Sequence, residues 1–581
     1  MTKGKSKLTT GFLVIGGGAG GVCAAIEAAR RNILVILAEE TEWLGGMLSA
    51  AGVSCIDGNY AMQSGLFGEF AEKIFQFYGG TEKVKTGWVS HINFEPSVAN
   101  KIIHELMENL PTLTVLKKHK FQSIKLENNS IQSVILENEN GHEIEISAKV
   151  YMDATDYGDV AFAAECDYNE GTSETGQDQN IQDITWVAIL QEFENGIDHL
   201  ISKPDNYNAD DFLGCCQEWS NDEFPSQLSA EKMLEYGKLP NNKYMINWPI
   251  RGNDFFTNVL DLSPEEREKE WAKAREFSLC KVYFIQNKLG YKNLGLAQEF
   301  FTEHGLALIP YNRESRRFKG YAKFDVDHIL EPYKYDLYKK GIAVGDYPVD
   351  HHHSRNSEKI DEEFPKIPSF NVPYDVLVSQ DLDNLLLGEK NISVSHYMNG
   401  STRLQPVVMQ LGQAAGAAAS LAILQNKKVA ALNIRQLQIT LLESGVYIAP
   451  VYDINKDSEY FSAVQRVCVA GMMKLDGIPH QWANRSFFYP EKVVTLEDVE
   501  FLIRSFLGKM VINLGNFDKD DVLDLNQIHE LLKMNGIQDF QTIEENKNTL
   551  TRKQFAVILD EALKPFAKEL YLTEKLNEMK E

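Results

Sequence analysis

Three clusters of charged and ring side chains, and one glycine-rich turn, hold the residues with which this sequence could do chemistry. "IPYNRESRRFKG", residues 309 to 320, crowds Arg313, Glu314, Arg316 and Arg317 together. Guanidiniums at that density either clamp an anionic or hydroxylated ligand through paired N–H donors, or tie a solvated loop together by ion pairs. "GDYPVDHHHSRN", residues 345 to 356, contains Asp350-x-His352, in which a carboxylate can orient an imidazole for acid–base work. Its three adjacent histidines are not expected to hold a metal. Consecutive side chains of an extended chain alternate sides, and no Cys or carboxylate stands at ligand spacing. His396, in "VSHYMNG", is the third candidate. An imidazole that titrates near neutrality suits the proton transfer accompanying removal of a hydride from carbon.

The glycine turn lies in "GFLVIGGGAGGVCAAI", residues 11 to 26. Lys3, Lys5 and Lys7 precede this apolar stretch, a layout that a secretion leader shares. The residues beyond it argue against a leader. "FLVIG" predicts a strand, "VCAAIEAARRN" a helix with a basic end, and "ILVILAEE" a second strand closing on Glu39 and Glu40. Glu39 stands 23 residues after Gly16, near the separation expected for the acid that binds a ribose. In Gly16-x-Gly18-x-x-Gly21 the first glycine makes the tight turn and the second admits a pyrophosphate to the backbone. The third lets helix and strand approach. The helix N-terminus then offers unpaired N–H groups to the phosphates.

Whole-chain properties bound the function. With 581 residues, two to four domains are expected. A net charge of −25 repels phosphate backbones and excludes nucleic acid as the main partner. No run of 18 apolar residues occurs, so no membrane span is expected. Seven cysteines, an odd number without a Cys-x-x-Cys pair, predict reduced thiols and a cytoplasmic location, or a periplasmic one had a leader been removed.

Three later segments carry a family resemblance. "TEWLGGMLSAAGVSC" comes directly after the acid, "AKVYMDATDYGDVAFAAECD" spans 148 to 167, and "LDNLLLGEKNISVSHYMNGSTRLQPVVMQLGQAAGAAASLAI" spans 382 to 423. Together with the turn, they resemble FAD-dependent oxidoreductases of the glutathione-reductase-like superfamily. "YNRESRRFKG", "DYPVDHH" and "SHYMNGSTRLQP" are similar to a bacterial subfamily that carries a xanthan-lyase label. The resemblance implies FAD, held by Gly16, Gly18, Ala19, Gly20, Gly21, Glu39, Glu40, Gly45, Gly46, Met47, Phe121, Ala154, Thr155, Asp156, Gly388, Arg403, Leu404 and Gln405. It also implies an α/β fold: a Rossmann-like FAD domain with an inserted mixed-sheet substrate domain and a small helical C-terminal domain. The expected parts are 11–165, 166–375, 376–446 and 447–581. Pro406 suits the first turn of the helix after Gln405, whose N-terminus would face the flavin N1–C2=O edge. Ala and Gly at 412 to 419 would let that helix touch the nucleotide-binding sheet closely. The chemistry implied is hydride transfer between flavin N5 and a small polar substrate, with a carbohydrate-derived CH–OH group preferred. His396, His352, Asp350, Arg313 and Arg316 are then the catalytic candidates. A fumarate-reductase-like C=C reduction and an FAD-stabilised scaffold are the alternatives.

Beyond residue 447, "TLEDVEFLIRSFLG" and "TRKQFAVILDEALKP" rhyme at an offset of 56, each a capping signal followed by an amphipathic helix. They resemble S-layer-homology-like helical modules. Packing or homo-oligomerisation is the expected role of this part.

Overall fold

The computed structural model describes residues 6–173, 181–194, 196–353, 364–508, 518–537 and 549–572; the Ser354-Arg355-Asn356 end of the histidine cluster lies outside them. The first strand, Ser6–Ile15, buries its apolar C-terminal half and leads through the glycine turn into the helix Ala19–Arg30. It lies between Val35–Glu39 and Glu143–Asp153, parallel to both, with Phe12 opposite Val35 on one side and Val150 on the other. Leu113–Lys117 extends the sheet beyond Val35–Glu39 in parallel. Ser130–Asn138 and His119–Glu127 close the other side as an antiparallel pair. Leu385–Leu387 returns from more than 200 residues downstream and pairs in parallel with residues 151–153. The expected return of the chain to its first domain is therefore a strand pairing.

The helix Gln405–Gln425 seals the sheet from the side of Ala19–Arg30, and its glycines explain how closely. A Cβ on Gly412 would lie 2.0 Å from the Gly20 carbonyl oxygen, and one on Gly416 would lie 2.3 Å from that of Ala24. Backbone therefore packs on backbone, and the contact is van der Waals rather than side-chain interdigitation. This helix is long and apolar enough to cross a membrane, but it is almost wholly wrapped by protein. Its composition serves an interior contact.

Between the two halves of the nucleotide-binding unit lies an insert. Its four-stranded sheet is ordered Lys238–Leu239, Lys243–Ile246, Ala188–Glu192, Leu294–Leu296, and every pairing in it is antiparallel. Among the described residues, parallel and antiparallel pairing mix only in the seven-stranded sheet. The helix Pro264–Asn287, started by a Ser263/Glu266 capping box, packs within the insert against strands Ile184–Thr185, Ala188–Glu192 and Asp254–Phe255. In the C-terminal part the two rhyming helices, Leu496–Phe501 and Arg552–Leu563, each begin with the capping box their sequences suggest. A third, Leu525–Met534, begins in the same way at Asp524 and Gln527. Among the described residues of this part, that third helix is capped by Asp instead of Thr.

Candidate active site

The glycine turn has the geometry of a dinucleotide cradle. Gly16 sits at φ +105°, where a Cβ would be 2.0 Å from the Ala154 oxygen, and a Cβ on Gly21 would be 2.0 Å from the Gly16 oxygen. No other residue fits these positions. Glu39 is buried and accepts from Gly17 N at 2.7 Å and Thr41 N at 2.8 Å. Its neighbour Glu40 is exposed and senses Glu39, Asp159 and Asp156. The 45–47 loop folds back over the turn, with Gly45 N donating to Gly17 O at 2.7 Å. Lys118 N donates to Thr41 O, which brings the start of the strand carrying Phe121 beside the end of Val35–Glu39. Thr155 and Asp156 follow strand Glu143–Asp153, and Asp156 pairs with Lys390.

Glu389 was not foreseen. Its backbone is left-handed at φ +50°, and its buried carboxylate accepts from Gly20 N at 2.7 Å and Gly21 N at 3.2 Å. Those are the amides a phosphate would use. An acid directly after Gly388 was the visible signal.

The second half of the site is a buried row of charges at the start of helix Gln405–Gln425. Arg403 donates to Tyr311 Oη at 2.5 Å and to Asp350 Oδ2 at 2.9 Å. Asp350 Oδ2 lies 3.5 Å from His352 Nε2, and His352 Nδ1 lies 2.8 Å from Asp254 Oδ2. Asp254 pairs with Arg313 at 3.1 Å, and Arg313 also donates to Asp183 O, Thr185 Oγ1 and Asn247 Oδ1. Burial alone would raise the Asp254 carboxyl, but Arg313 and His352 outweigh it and hold it down at about 2. Burial disfavours the His352 imidazolium and Arg313 repels it, yet Asp254 and Asp350 prevail and its pKa is raised. Half-buried Asp57 senses Asp350, Arg403 and His352; burial lifts its carboxyl to about 6 although Ser90 donates to it.

Of the five catalytic candidates, the structure brings Arg313, Asp350 and His352 together. Arg316 lies elsewhere. It is locked on the carbonyls of Tyr157 and Leu260 and on Asp261, over the Phe162 ring. His396 is also outside the row, with Nδ1 3.0 Å from Glu314 Oε1. Residues 350–353 form neither helix nor strand; His352 faces Asp254 while His351 and His353 lie together beside His396. The alternation argument therefore holds for adjacent histidines. The metal-free expectation drawn from it overlooked His396, which completes a trio with His351 and His353. Asp254, Tyr311 and Asp57 were missed. Only Tyr311 carried a signal, its place in the arginine-rich motif.

Asp346, on the strand-to-site connection, illustrates how tightly this region is closed. It is 1% exposed, accepts from Asn59 N at 2.7 Å, and burial lifts its carboxyl to about 7. The fold keeps a proton that the unfolded chain releases near pH 4, so stability falls as pH rises from about 4 through 7. Asp346→Asn should gain on wild type over that window by on the order of 2–4 kcal/mol. Melting temperatures at pH 5 and pH 8 check this: the gap must widen with pH.

Comparison with protein families matches residues 12–441 to the family described as FAD dependent oxidoreductase. The chain belongs to that family. This FAD-dependent oxidoreductase is an enzyme whose cofactor is FAD, and its glycine turn, buried ribose-type acid and returning helix fit that cofactor. No curated protein matches the oxidoreductase. Among solved structures it is similar to the myxobacterial chondrochloren halogenase CndH at 11% identity, covering 75% of this chain and 78% of that one, with a TM-score of 0.32. It is also similar to p-nitrophenol 4-monooxygenase PnpA from Pseudomonas putida DLL-E4, at 10% identity over 80% and 89% of the chains, with a TM-score of 0.31. L-proline dehydrogenase from P. horikoshii is matched at 16% identity and a TM-score of 0.18, over 32% of this oxidoreductase and a quarter of that chain.

Proposed function

We propose that this enzyme transfers a hydride between FAD and a small polar substrate bound against the row Arg313–Asp254–His352–Asp350–Arg403. The observation that carries the reading is the placement of that row. It adjoins the start of the helix Gln405–Gln425, the element that the family resemblance sets against the flavin. Gly16, Gly18, Gly20, Gly21, Glu39, the 45–47 loop and residues 154–156 would hold the cofactor, and the Glu389 carboxylate leaves Gly20 N and Gly21 N to the phosphates. FAD, when bound, accepts or supplies hydride at N5.

The chain's own groups manage protons and charge. His352, gripped by two carboxylates, is a proton donor placed at its Nε2 edge. Asp57, with a carboxyl titrating at about 6, is the proton acceptor when the substrate is an alcohol. Arg313 and Arg403 orient hydroxyl or carboxylate oxygens. A carbohydrate-derived CH–OH group is the substrate class this polar wall suits, and likeness to the xanthan-lyase-labelled subfamily supports it. The imidazolium character of His352 favours a second reading, reduction of an activated C=C bond with His352 supplying the proton. The three capped helical units support an S-layer-homology-like accessory module for packing or self-association. Seven buried thiols support a reducing compartment.

Anaerobic titration of the flavoprotein with sugars, amines and enoates tests the reading. Bleaching by a sugar or polyol is expected, with a rate that rises through about pH 6 as Asp57 ionises. Asp57→Asn should slow that step by about 10²–10⁴ and abolish the pH limb while leaving the flavin bound. Reoxidation of the reduced enzyme by an enoate would favour the second reading. A flavin that none of these reduces or reoxidises would overturn both and leave a scaffold.

A further inference from the structure

The opposite face of the 350–353 segment holds a cluster that the hydride-transfer row does not use. His351, His353 and His396 each bring one ring nitrogen within 4.8 Å of the other two. The imidazole pairs are close throughout: His351 and His396 have ring centroids 4.2 Å apart, and His353 lies 5.7 Å from each of the others. Both ring nitrogens of His351 are buried and meet no hydrogen-bond partner, and neither nitrogen of His353 meets one in hydrogen-bond geometry. Buried polar atoms without partners are uncommon in folded proteins, and a cluster of them facing one point signals a missing ligand.

We infer that His351, His353 and His396 form a binding site for a divalent transition-metal ion, with zinc as the ion of choice. The donor set consists of three imidazoles without a thiolate or a clustered carboxylate, which suits zinc and its neighbours rather than calcium or magnesium. At a Zn–N length of about 2.0–2.1 Å, tetrahedral ligands stand roughly 3.4 Å apart. Three nitrogens already within 4.8 Å reach that spacing by small side-chain rotations. Water completes the coordination.

Two features outside the trio make the site a built one. Glu314 takes His396 Nδ1 at 3.0 Å, which assigns Nε2 to the metal and puts a negative charge behind a cationic centre. Gly400 is the other feature. A Cβ there would lie 2.4 Å from His351 Cδ2 and 2.6 Å from its Nε2, so only glycine lets this imidazole rest on the helix His396–Thr402. That helix runs directly into Arg403. A bound ion would therefore clamp the segment bearing Asp350 and His352 to the helix that positions Arg403, one layer behind the proposed substrate wall.

Flavin-loaded enzyme, stripped with EDTA and then dialysed against zinc chloride, tests the proposal. One equivalent of zinc per chain is expected by elemental analysis, with a melting temperature higher by a few degrees. His351→Gln and His353→Gln should each lose the zinc and its thermal shift while keeping the 450 nm flavin absorbance, and His142→Gln, at a histidine outside the trio, should lose neither. A wild type that retains no zinc overturns the site, as does retention unchanged in the His351→Gln/His353→Gln double variant. Absence of flavin from wild type would count against the cofactor cradle, and absence of zinc from a yellow protein only against this site.

Discussion

Gly18→Asp is expected to give a folded, colourless protein. Gly18 precedes the helix Ala19–Arg30 with φ −65° and ψ −175°, a backbone that any L-residue adopts and one suited to an aspartate N-cap. The helix should therefore form as before. The damage is electrostatic and steric. A Cβ at this position lies 2.5 Å from Glu389 Oε1, so the new carboxylate enters a space already holding one carboxylate and reserved for two phosphates. Like charges facing one another in a buried cleft are strongly unfavourable, and the helix N-terminus can compensate only a fraction of a charge. The expected loss in FAD affinity is at least about 10³, roughly 4 kcal/mol. Absorbance at 450 nm after purification and circular dichroism measure the two halves of the claim. Stoichiometric flavin in the variant would contradict the placement of the cofactor on this turn.

The glycine turn was legible because its constraints are local. The φ of Gly16, the approach of Gly21 to it and the acid closing the second strand all lie within some two dozen residues. The Ala/Gly stretch of the returning helix was legible for a related reason: small residues along a buried helix announce close packing, although the backbone it meets is that of helix Ala19–Arg30 rather than the sheet. The charge row was legible except at Asp254. Arg313, Asp350 and His352 stand in dense motifs, whereas Asp254 is one acid among 83 and gains meaning only where the fold sets it between Arg313 and His352. The histidines show the same limit. Alternation along an extended segment predicts that His351 and His353 share a side, but not that a helix 43 residues beyond His353 supplies His396 to it. Arg316 failed in the opposite sense. Its motif suggested a clamp, and backbone carbonyls of Tyr157 and Leu260 satisfy it instead.

Asp254→Ala is expected to be the most destabilising change in the row. Both Asp254 and Arg313 are buried, with Arg313 at 0% exposure, so removing the carboxylate leaves a guanidinium without its direct ion-pair partner in the interior. Breaking a buried pair in this way costs about 3–5 kcal/mol, far more than the net worth of the pair itself. The remaining acceptors of Arg313, at Asp183, Thr185 and Asn247, keep its N–H groups bonded but supply no charge. Acid sensitivity must change with it. Asp254 titrates in the fold at about 2, below its ordinary value, so its stabilisation is present above pH 4 and lost as pH falls from about 4 through 2. That limb should vanish from denaturant-unfolding curves of the variant. Asp254→Asn separates framework from chemistry. The amide preserves shape and one hydrogen-bond acceptor, so part of the stability returns, yet His352 loses one of the two carboxylates that favour its charged form. If His352 delivers the proton, flavin reduction or reoxidation in Asp254→Asn stays depressed although the melting temperature recovers. A rate that recovers together with stability would make the row a structural brace and move the proton donor elsewhere.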